Sequence, residues 1–110
     1  MNLFRADLQW DSISIMQQAM KVLKEKNFSD WNGSELFPNF ALSDSGNDAF
    51  IIQAYKNKKA LRIILQNQEQ KIIISTGTKG QKEVSNIKTK SFNTSDILEA
   101  GNYFEKLIKC

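Results

Sequence analysis

The chain has 110 residues, 41% of them hydrophobic, and its 15 basic and 12 acidic side chains give a formal net charge of +3. This length and apolar content predict one domain, spanning residues 1–110, with a single hydrophobic core. Because the sequence has no histidine and only one cysteine, Cys110, it excludes Ser/His and Cys/His catalytic sites, histidine-ligated metals and an internal disulfide.

Membrane-spanning and secretory segments are not expected either. The longest aliphatic runs are three residues, and the charged start MNLFRADLQWD lacks the apolar stretch of a signal peptide. We therefore expect a soluble, cytoplasmic protein with no membrane partner. A thiol link through Cys110 would join two copies, so the sequence leaves the choice between monomer and dimer open.

Two elements are predicted in the first part of the chain. Residues 4–11 alternate between apolar and polar side chains, which favours a short strand. Residues 14–27 predict an amphipathic helix, and the spacing of Ser14 and Gln17 is that of a capping box, which places the start of the helix at Ser14. The apolar face of this helix consists of Ile15, Met16, Ala19, Met20, Val22 and Leu23.

The stretch ALRIILQNQEQKIIIS and the apolar run before it predict two β-hairpins, with turns at 56–59 and 67–70. Counting from these turns pairs Ile52 with Ile63 and Ile63 with Ile74, so one face of the sheet is apolar. The same register aligns a second set of isoleucines, the isoleucine stripe, on the opposite face: Ile51, Ile64 and Ile73.

Two outcomes are open for the isoleucine stripe. The N-terminal strand or the segment 28–50 folds over it and buries it. Otherwise the stripe stays exposed beside Gln53, Arg62 and Tyr55 and forms a candidate second contact for a partner, as a small apolar patch with a polar rim.

A fourth strand is predicted within residues 83–92, after a glycine-containing turn around Gly77 and Gly80. The sequence leaves the register of this strand open.

A second helix is predicted from about residue 94 onward. Asn93 is its expected N-cap, Asp96 adds a negative charge to its first turn, and Phe92 and Ile97 occupy the positions of a hydrophobic staple. Its apolar face consists of Ile97, Ala100, Phe104, Leu107 and Ile108. The predicted fold class is therefore α+β, with an antiparallel sheet of three to five strands flanked by an N-terminal and a C-terminal helix that share its apolar face.

Charge is unevenly distributed along the chain. Residues 28–50 carry four acids and no base, whereas residues 51–92 carry nine basic and two acidic side chains. Because acids steer an encounter with a basic partner and aromatic side chains anchor it, the segment 28–50 is the predicted partner-binding region. Its candidate residues are Asp30, Trp31, Glu35, Asp44 and Asp48. The alternative is a loop whose aromatic side chains complete the core.

The glycine-containing stretches do not match known binding loops. In STGTKGQKE the glycines are three residues apart and no lysine follows the second directly, unlike a phosphate-binding loop. SDSGND has too few carboxylates for a calcium loop. We therefore predict that the protein is not an enzyme and holds no cofactor and no metal.

In size, composition and predicted architecture the whole chain resembles bacterial immunity proteins of contact-dependent growth inhibition. The resemblance implies a non-catalytic inhibitor that binds and neutralises the toxin domain encoded beside it, usually a nuclease. No sequence motif defines the resemblance, so no functional residue is transferred. The net charge of +3 departs from the acidic character that is common among immunity proteins against basic nucleases.

Two other classes of function fit the sequence. The basic sheet region favours a module that binds single-stranded nucleic acid, which would use lysines on one face with aromatic residues between them. An apolar sheet face is also typical of a secretion chaperone or a phage-encoded inhibitor.

Overall fold

The computed structural model describes residues 12–41, 49–66 and 69–109. The helices are α1 (Ser12–Glu25) and α2 (Ile97–Lys109), and the strands are β1 (Asn39–Ala41), β2 (Ala49–Lys56), β3 (Lys59–Gln66), β4 (Lys71–Lys79) and β5 (Val84–Asn93). This arrangement confirms the predicted α+β class. The strand predicted over 4–11 lies outside the described residues.

The strands form one antiparallel sheet in the order β1-β2-β3-β4-β5, so each strand pairs with its neighbour in the chain. The register predicted from the turns is confirmed, because Ile63 pairs with both Ile52 and Ile74. The first hairpin closes through Asn57, whose φ of 55° is one that asparagine tolerates better than most residues.

The segment 28–50, predicted as a loop, contains a strand that the sequence did not reveal. Residues 39–41 form β1, in which Asn39 pairs with Ile51 and Phe40 with Phe50. A strand of three residues is too short to show the alternation of apolar and polar side chains that identifies a strand in a sequence. It forms because its backbone groups pair with those of β2.

The core lies between the two helices and one face of the sheet, as predicted. α1 packs on β2 and β3, and α2 packs on β5. The fully buried side chains include Ile15 and Leu23 of α1 and Phe104 of α2. The sheet contributes Ile52, Leu61, Ile63, Leu65, Ile72 and Ile74 to the same cluster. We call this the helix side of the sheet and the opposite surface the outer face.

The ends of α1 differ from the prediction. The helix starts at Ser12, so Ser14 lies inside its first turn and the predicted cap at Ser14 is wrong. At the other end Phe28 N–H donates to the carbonyl of Leu23 at 2.9 Å, and Asn27 has a φ of 67°. This is a Schellman ending, in which Asn27 takes the left-handed position and directs Phe28 into the core.

Gly77 lies in β4 and not in the predicted turn, which is formed by residues 80–83. Opposite Gly77, strand β5 has an extra residue, since Thr76 pairs with Lys88 and Thr78 pairs with Ser85. The resulting β-bulge includes Asn86, whose φ is 55°. Glycine is needed at position 77 because the bulge brings β5 close to the β4 backbone.

The start of α2 also differs from the prediction. A 3₁₀ turn, Thr94–Asp96, separates Asn93 from the α-helix, and the Asn93 side chain makes no capping hydrogen bond. Phe92 and Ile97 are both buried in the core, so the predicted hydrophobic contact across the helix start is consistent with the structure.

Candidate functional site

The segment after α1 is fixed against the edge of β2. Ser29 and Tyr55 exchange two backbone hydrogen bonds, of 2.9 and 2.8 Å. Phe28 and Leu36, on either side of this segment, are buried in the core. The expectation that aromatic residues of 28–50 complete the core is therefore correct for Phe28. The intervening residues form a short loop held at both ends.

Asp30 shapes this loop. Its Oδ1 atom accepts hydrogen bonds from the backbone N–H of Asn32 at 2.9 Å and of Ser34 at 2.7 Å. Gly33 has a φ of 82°, which suits glycine in such a turn. The carboxylate of Asp30 thus folds the chain back on itself and sets the position of Trp31.

Trp31 packs edge-on against Tyr55, with ring centroids 5.1 Å apart and an interplanar angle of 86°. The Lys79 ammonium lies 4.9 Å from the Trp31 ring and 5.6 Å from the Tyr55 ring. It also donates to the Trp31 carbonyl at 2.8 Å. Both rings are therefore held in fixed orientations, by each other and by a cation.

These residues line a concavity at the edge of the sheet, which we call the aromatic concavity. Its lining includes Asp30, Trp31, Glu35, Phe37, Gln53 and Tyr55. Phe37 is 65% exposed, the largest value among the exposed large hydrophobic side chains of the described residues. The concavity thus combines rigid, half-buried rings with one ring that is open to solvent.

The charges around the aromatic concavity balance. Glu35 forms an ion pair with Lys24 of α1 at 3.4 Å, and the Lys79 ammonium lies over the ring of Trp31, the residue after Asp30. Lys24 also lies 5.8 Å from the Phe37 ring. The described part of the predicted acidic region is therefore locally neutral, because two lysines outside the segment 28–50 reach it.

The other two acidic candidates, Asp44 and Asp48, lie outside the described residues. Their role in partner binding stays a prediction.

The isoleucine stripe has the predicted pairing, since Ile64 pairs with both Ile51 and Ile73, and all three side chains are half-buried. Ile51 and Tyr55 point to the same face of β2, because side chains four residues apart in a strand share a face. The stripe and the aromatic concavity therefore lie on the outer face, roughly 13 Å apart along β2.

Sequence reasoning missed several residues of the concavity as site residues. Phe37, Gln53 and Tyr55 join it because Ser29 pairs with β2, a contact between residues 26 positions apart. The alternation that placed Ile51 on the outer face also places Gln53 and Tyr55 there. The sequence therefore indicated which face of the sheet Tyr55 lies on. It did not indicate that Ser29 and Trp31 lie next to Tyr55.

The basic residues of the sheet are divided between its two faces. Arg62 pairs with Gln53 and lies on the outer face, whereas Lys90 pairs with the buried Ile74 and lies on the helix side. Lys56 also faces the helix side, 5.8 Å from the Phe28 ring. No single face of the described sheet collects the lysines that gave the region its positive charge.

Within the described ranges, no cluster of three or more His, Cys, Asp or Glu side chains is arranged to hold a metal ion. Neither of the two described helices has the length and apolar character needed to cross a bilayer.

Comparisons of the chain with protein-family models, with curated proteins and with solved structures found no match. The described residues define an α+β protein in which one sheet face carries the helices and the other opens onto an aromatic concavity.

Proposed function

We propose that the protein is a non-catalytic inhibitor that acts in the bacterial cytoplasm by binding and neutralising a cognate toxin domain. The proposed contact surface is the aromatic concavity, with the isoleucine stripe as a second contact. The observation that carries the proposal is the fixed pair Trp31 and Tyr55 beside the exposed ring of Phe37.

This arrangement has the properties of a protein-binding anchor. Tryptophan and tyrosine are enriched among the side chains that dominate interface energies. Trp31 and Tyr55 are already held in place, so little rotamer freedom is lost when a partner binds. Phe37 still exposes most of its surface, and burying that surface against a partner would be favourable.

The charged rim supports specificity. The pair of Glu35 and Lys24 is exposed, with 66% and 44% of the respective side chains accessible, so it contributes little to folding. A partner with a basic side chain at this rim would compete for Glu35. Exposed charges of this kind mainly set the association rate and the choice of partner.

The direct test is binding to the product of the neighbouring gene, prepared as an inactive domain and measured by isothermal titration calorimetry. We expect Phe37→Ala to weaken binding about tenfold or more, because an anchor ring is lost. Leu98→Ala is the matched control, since Leu98 is also exposed, at 42%, but lies on α2. It should change the affinity less than twofold.

Charge reversal tests the acidic part of the surface. The variant Glu35→Lys, Asp44→Lys, Asp48→Lys should bind more weakly and fold normally. Asp30 is left unchanged because its carboxylate holds the loop. Full-strength binding by both Phe37→Ala and this variant, together with loss of binding in Ile64→Asp, would assign the contact to the isoleucine stripe and contradict the main proposal.

A second candidate function is binding of single-stranded nucleic acid. Trp31 and Tyr55 with Lys79 offer stacking rings beside a cation on the side of the sheet that carries Arg62. The division of the other lysines between two faces makes this the weaker candidate. Retention on a single-stranded DNA column that collapses with salt would support it over the first proposal.

A further inference from the structure

Strand β5 forms a long free edge of the sheet. It is last in the strand order, and no strand of the described residues pairs with its far side. Residues 85–91 are all exposed. The opposite edge of the sheet is different, because β1 and Ser29 pair with β2 there. Among the described residues, the backbone groups on the far side of β5 therefore have no strand beside them and offer an edge for an added strand.

From Lys88 to Asn93, beyond the bulge at Asn86, the side chains of this edge alternate between the two faces of the sheet. Lys88 and Lys90 lie on the helix side, since they pair with Thr76 and Ile74. On the outer face Thr89 pairs with Ser75, and their hydroxyls lie 2.9 Å apart. The outer side of the edge is thus polar but uncharged around Thr89, and the helix side is positive.

Aromatic rings position one of the lysines on the helix side of this edge. The Lys90 ammonium lies 5.3 Å from the Phe92 ring and 5.0 Å from the Tyr103 ring. Lys88 and Lys59 line an open cleft near the end of α2. Residues 71–93 contain five lysines and one glutamate, so the surroundings of the edge are basic as well.

We infer that the free edge of β5 binds an extended acidic segment of a partner protein as a sixth strand. Backbone hydrogen bonds would supply affinity, and the alternation would supply specificity. Acidic side chains at every second position would lie beside Lys88 and Lys90. β-branched residues between them would lie on the outer face, beside Thr89.

A second copy of this chain is a poor occupant of the same edge. An antiparallel pairing centred on Thr89 would place Lys88 of one copy opposite Lys90 of the other. Like charges directly opposite each other destabilise a strand pair. The bulge at Asn86 further limits regular pairing to residues 88–93. The edge therefore disfavours self-association and accepts an acidic strand.

The experiment uses the full chain and synthetic peptides, so it does not depend on the proposed function. The probe is a short blocked peptide in which glutamate alternates with valine and threonine, labelled for fluorescence anisotropy. One control peptide has glutamine for every glutamate. The second control is the acidic peptide with N-methyl groups on every other backbone nitrogen. It is made in two versions, one with the odd positions methylated and one with the even positions methylated.

A matched pair of protein variants isolates the edge. Lys88→Gln/Lys90→Gln removes the two charges of β5, and Lys21→Gln/Lys26→Gln removes two exposed charges of the α1 region. We expect the first variant to bind the acidic peptide about tenfold more weakly and the second to bind it within about twofold of the parent. One N-methylated version should not bind, because strand pairing needs the N–H groups on one edge of the peptide.

Each result has a defined meaning. Equal binding of the glutamine peptide, or equal loss in both double variants, would overturn the inference that acidic side chains meet Lys88 and Lys90. Binding by both N-methylated versions would show an electrostatic contact without an added strand and would overturn it too. A dimer in sedimentation velocity that Thr89→Pro disrupts would make a second copy the occupant and contradict the choice of partner.

Discussion

Asp30 and Glu35 carry the same charge in the same segment, but the structure gives them different roles. Asp30 accepts two backbone hydrogen bonds and holds a turn, whereas Glu35 makes one exposed ion pair at 3.4 Å. A count of charges in the segment 28–50 does not distinguish the two carboxylates. The positions of their neighbours show that one shapes the site and the other is available at its rim.

Substitution of each carboxylate by alanine tests this difference. Asp30→Ala should reduce the free energy of unfolding by about 1–2 kcal/mol, because two N–H groups lose a charged acceptor. Glu35→Ala should reduce it by less than about 0.5 kcal/mol, as expected for an exposed ion pair. Urea denaturation measures both, and equal effects of the two substitutions would contradict the turn described for Asp30.

Gly77 provides a second test at the residue scale. A Cβ atom at this position would collide with Val84 Cγ1 and lie 2.9 Å from the Ser85 carbonyl oxygen. Gly77→Ala should therefore destabilise the protein by about 1–3 kcal/mol, the range for overpacking.

The double variant Gly77→Ala/Val84→Ala separates the two collisions. Removing Cγ1 of Val84 should restore part of the lost stability, so the two substitutions should be non-additive in a double-mutant cycle measured by thermal unfolding. A Gly77→Ala protein that melts at or above the parent temperature would show that β5 does not approach β4 this closely.

At the scale of elements, α2 covers the core through Ile97, Phe104 and Ile108, of which Phe104 is the largest. Phe104 is fully buried in the shared cluster. Phe104→Ala should lower the free energy of unfolding by about 3–5 kcal/mol, since a large cavity remains at a site that the sheet cannot fill. Lys109→Ala, on the exposed side of the same helix, should change it by less than about 0.5 kcal/mol.

Chemical denaturation of the two variants gives this comparison directly. If Phe104→Ala unfolds at nearly the same denaturant concentration as Lys109→Ala, α2 does not pack on the sheet as described.

The elements also show which features a sequence can predict. The pairing of Ile52, Ile63 and Ile74 was predictable because short turns fix the register of adjacent strands. The ends of α1 and α2 were displaced by two or three residues, because a Schellman ending and a 3₁₀ turn depend on local backbone geometry.

The candidate site was less predictable than the fold. The sequence indicated Trp31 and the acids around it as binding residues. It placed Tyr55 beside the isoleucine stripe, but it did not indicate that Tyr55, Lys24 and Lys79 reach this site from β2, α1 and β4. The charge around the site depends on lysines that are distant from it in the sequence. A count of charges within the segment 28–50 does not include these lysines.

At the scale of the whole molecule, the core and the surfaces proposed for partners consist of different residues. The helix side holds the core, while the outer face and the β5 edge carry the surfaces proposed for partners. Substitutions of core residues and of exposed residues at the proposed surfaces should therefore have separable effects, with stability lost in the first case and affinity in the second.

The absence of histidine predicts how the whole molecule responds to pH. Histidine is the side chain whose ordinary pKa lies between about 5 and 8, and this chain has none. The unfolding temperature should therefore change by less than about 2 °C between about pH 6 and about pH 7.5, because few protons are bound or released on unfolding in that range. Differential scanning calorimetry in matched buffers measures it, and a steep slope would require a group with a displaced pKa.

The order of elements along the chain has a consequence for synthesis on the ribosome. The five strands of the described residues precede α2, whose Ile97, Phe104 and Ile108 cover part of the apolar side of the sheet. Because consecutive strands pair with each other, we expect the hairpins to form during synthesis, while that part of the sheet stays uncovered until α2 has been made. We expect a chain that stops before α2 to expose this apolar surface and to be degraded by proteases.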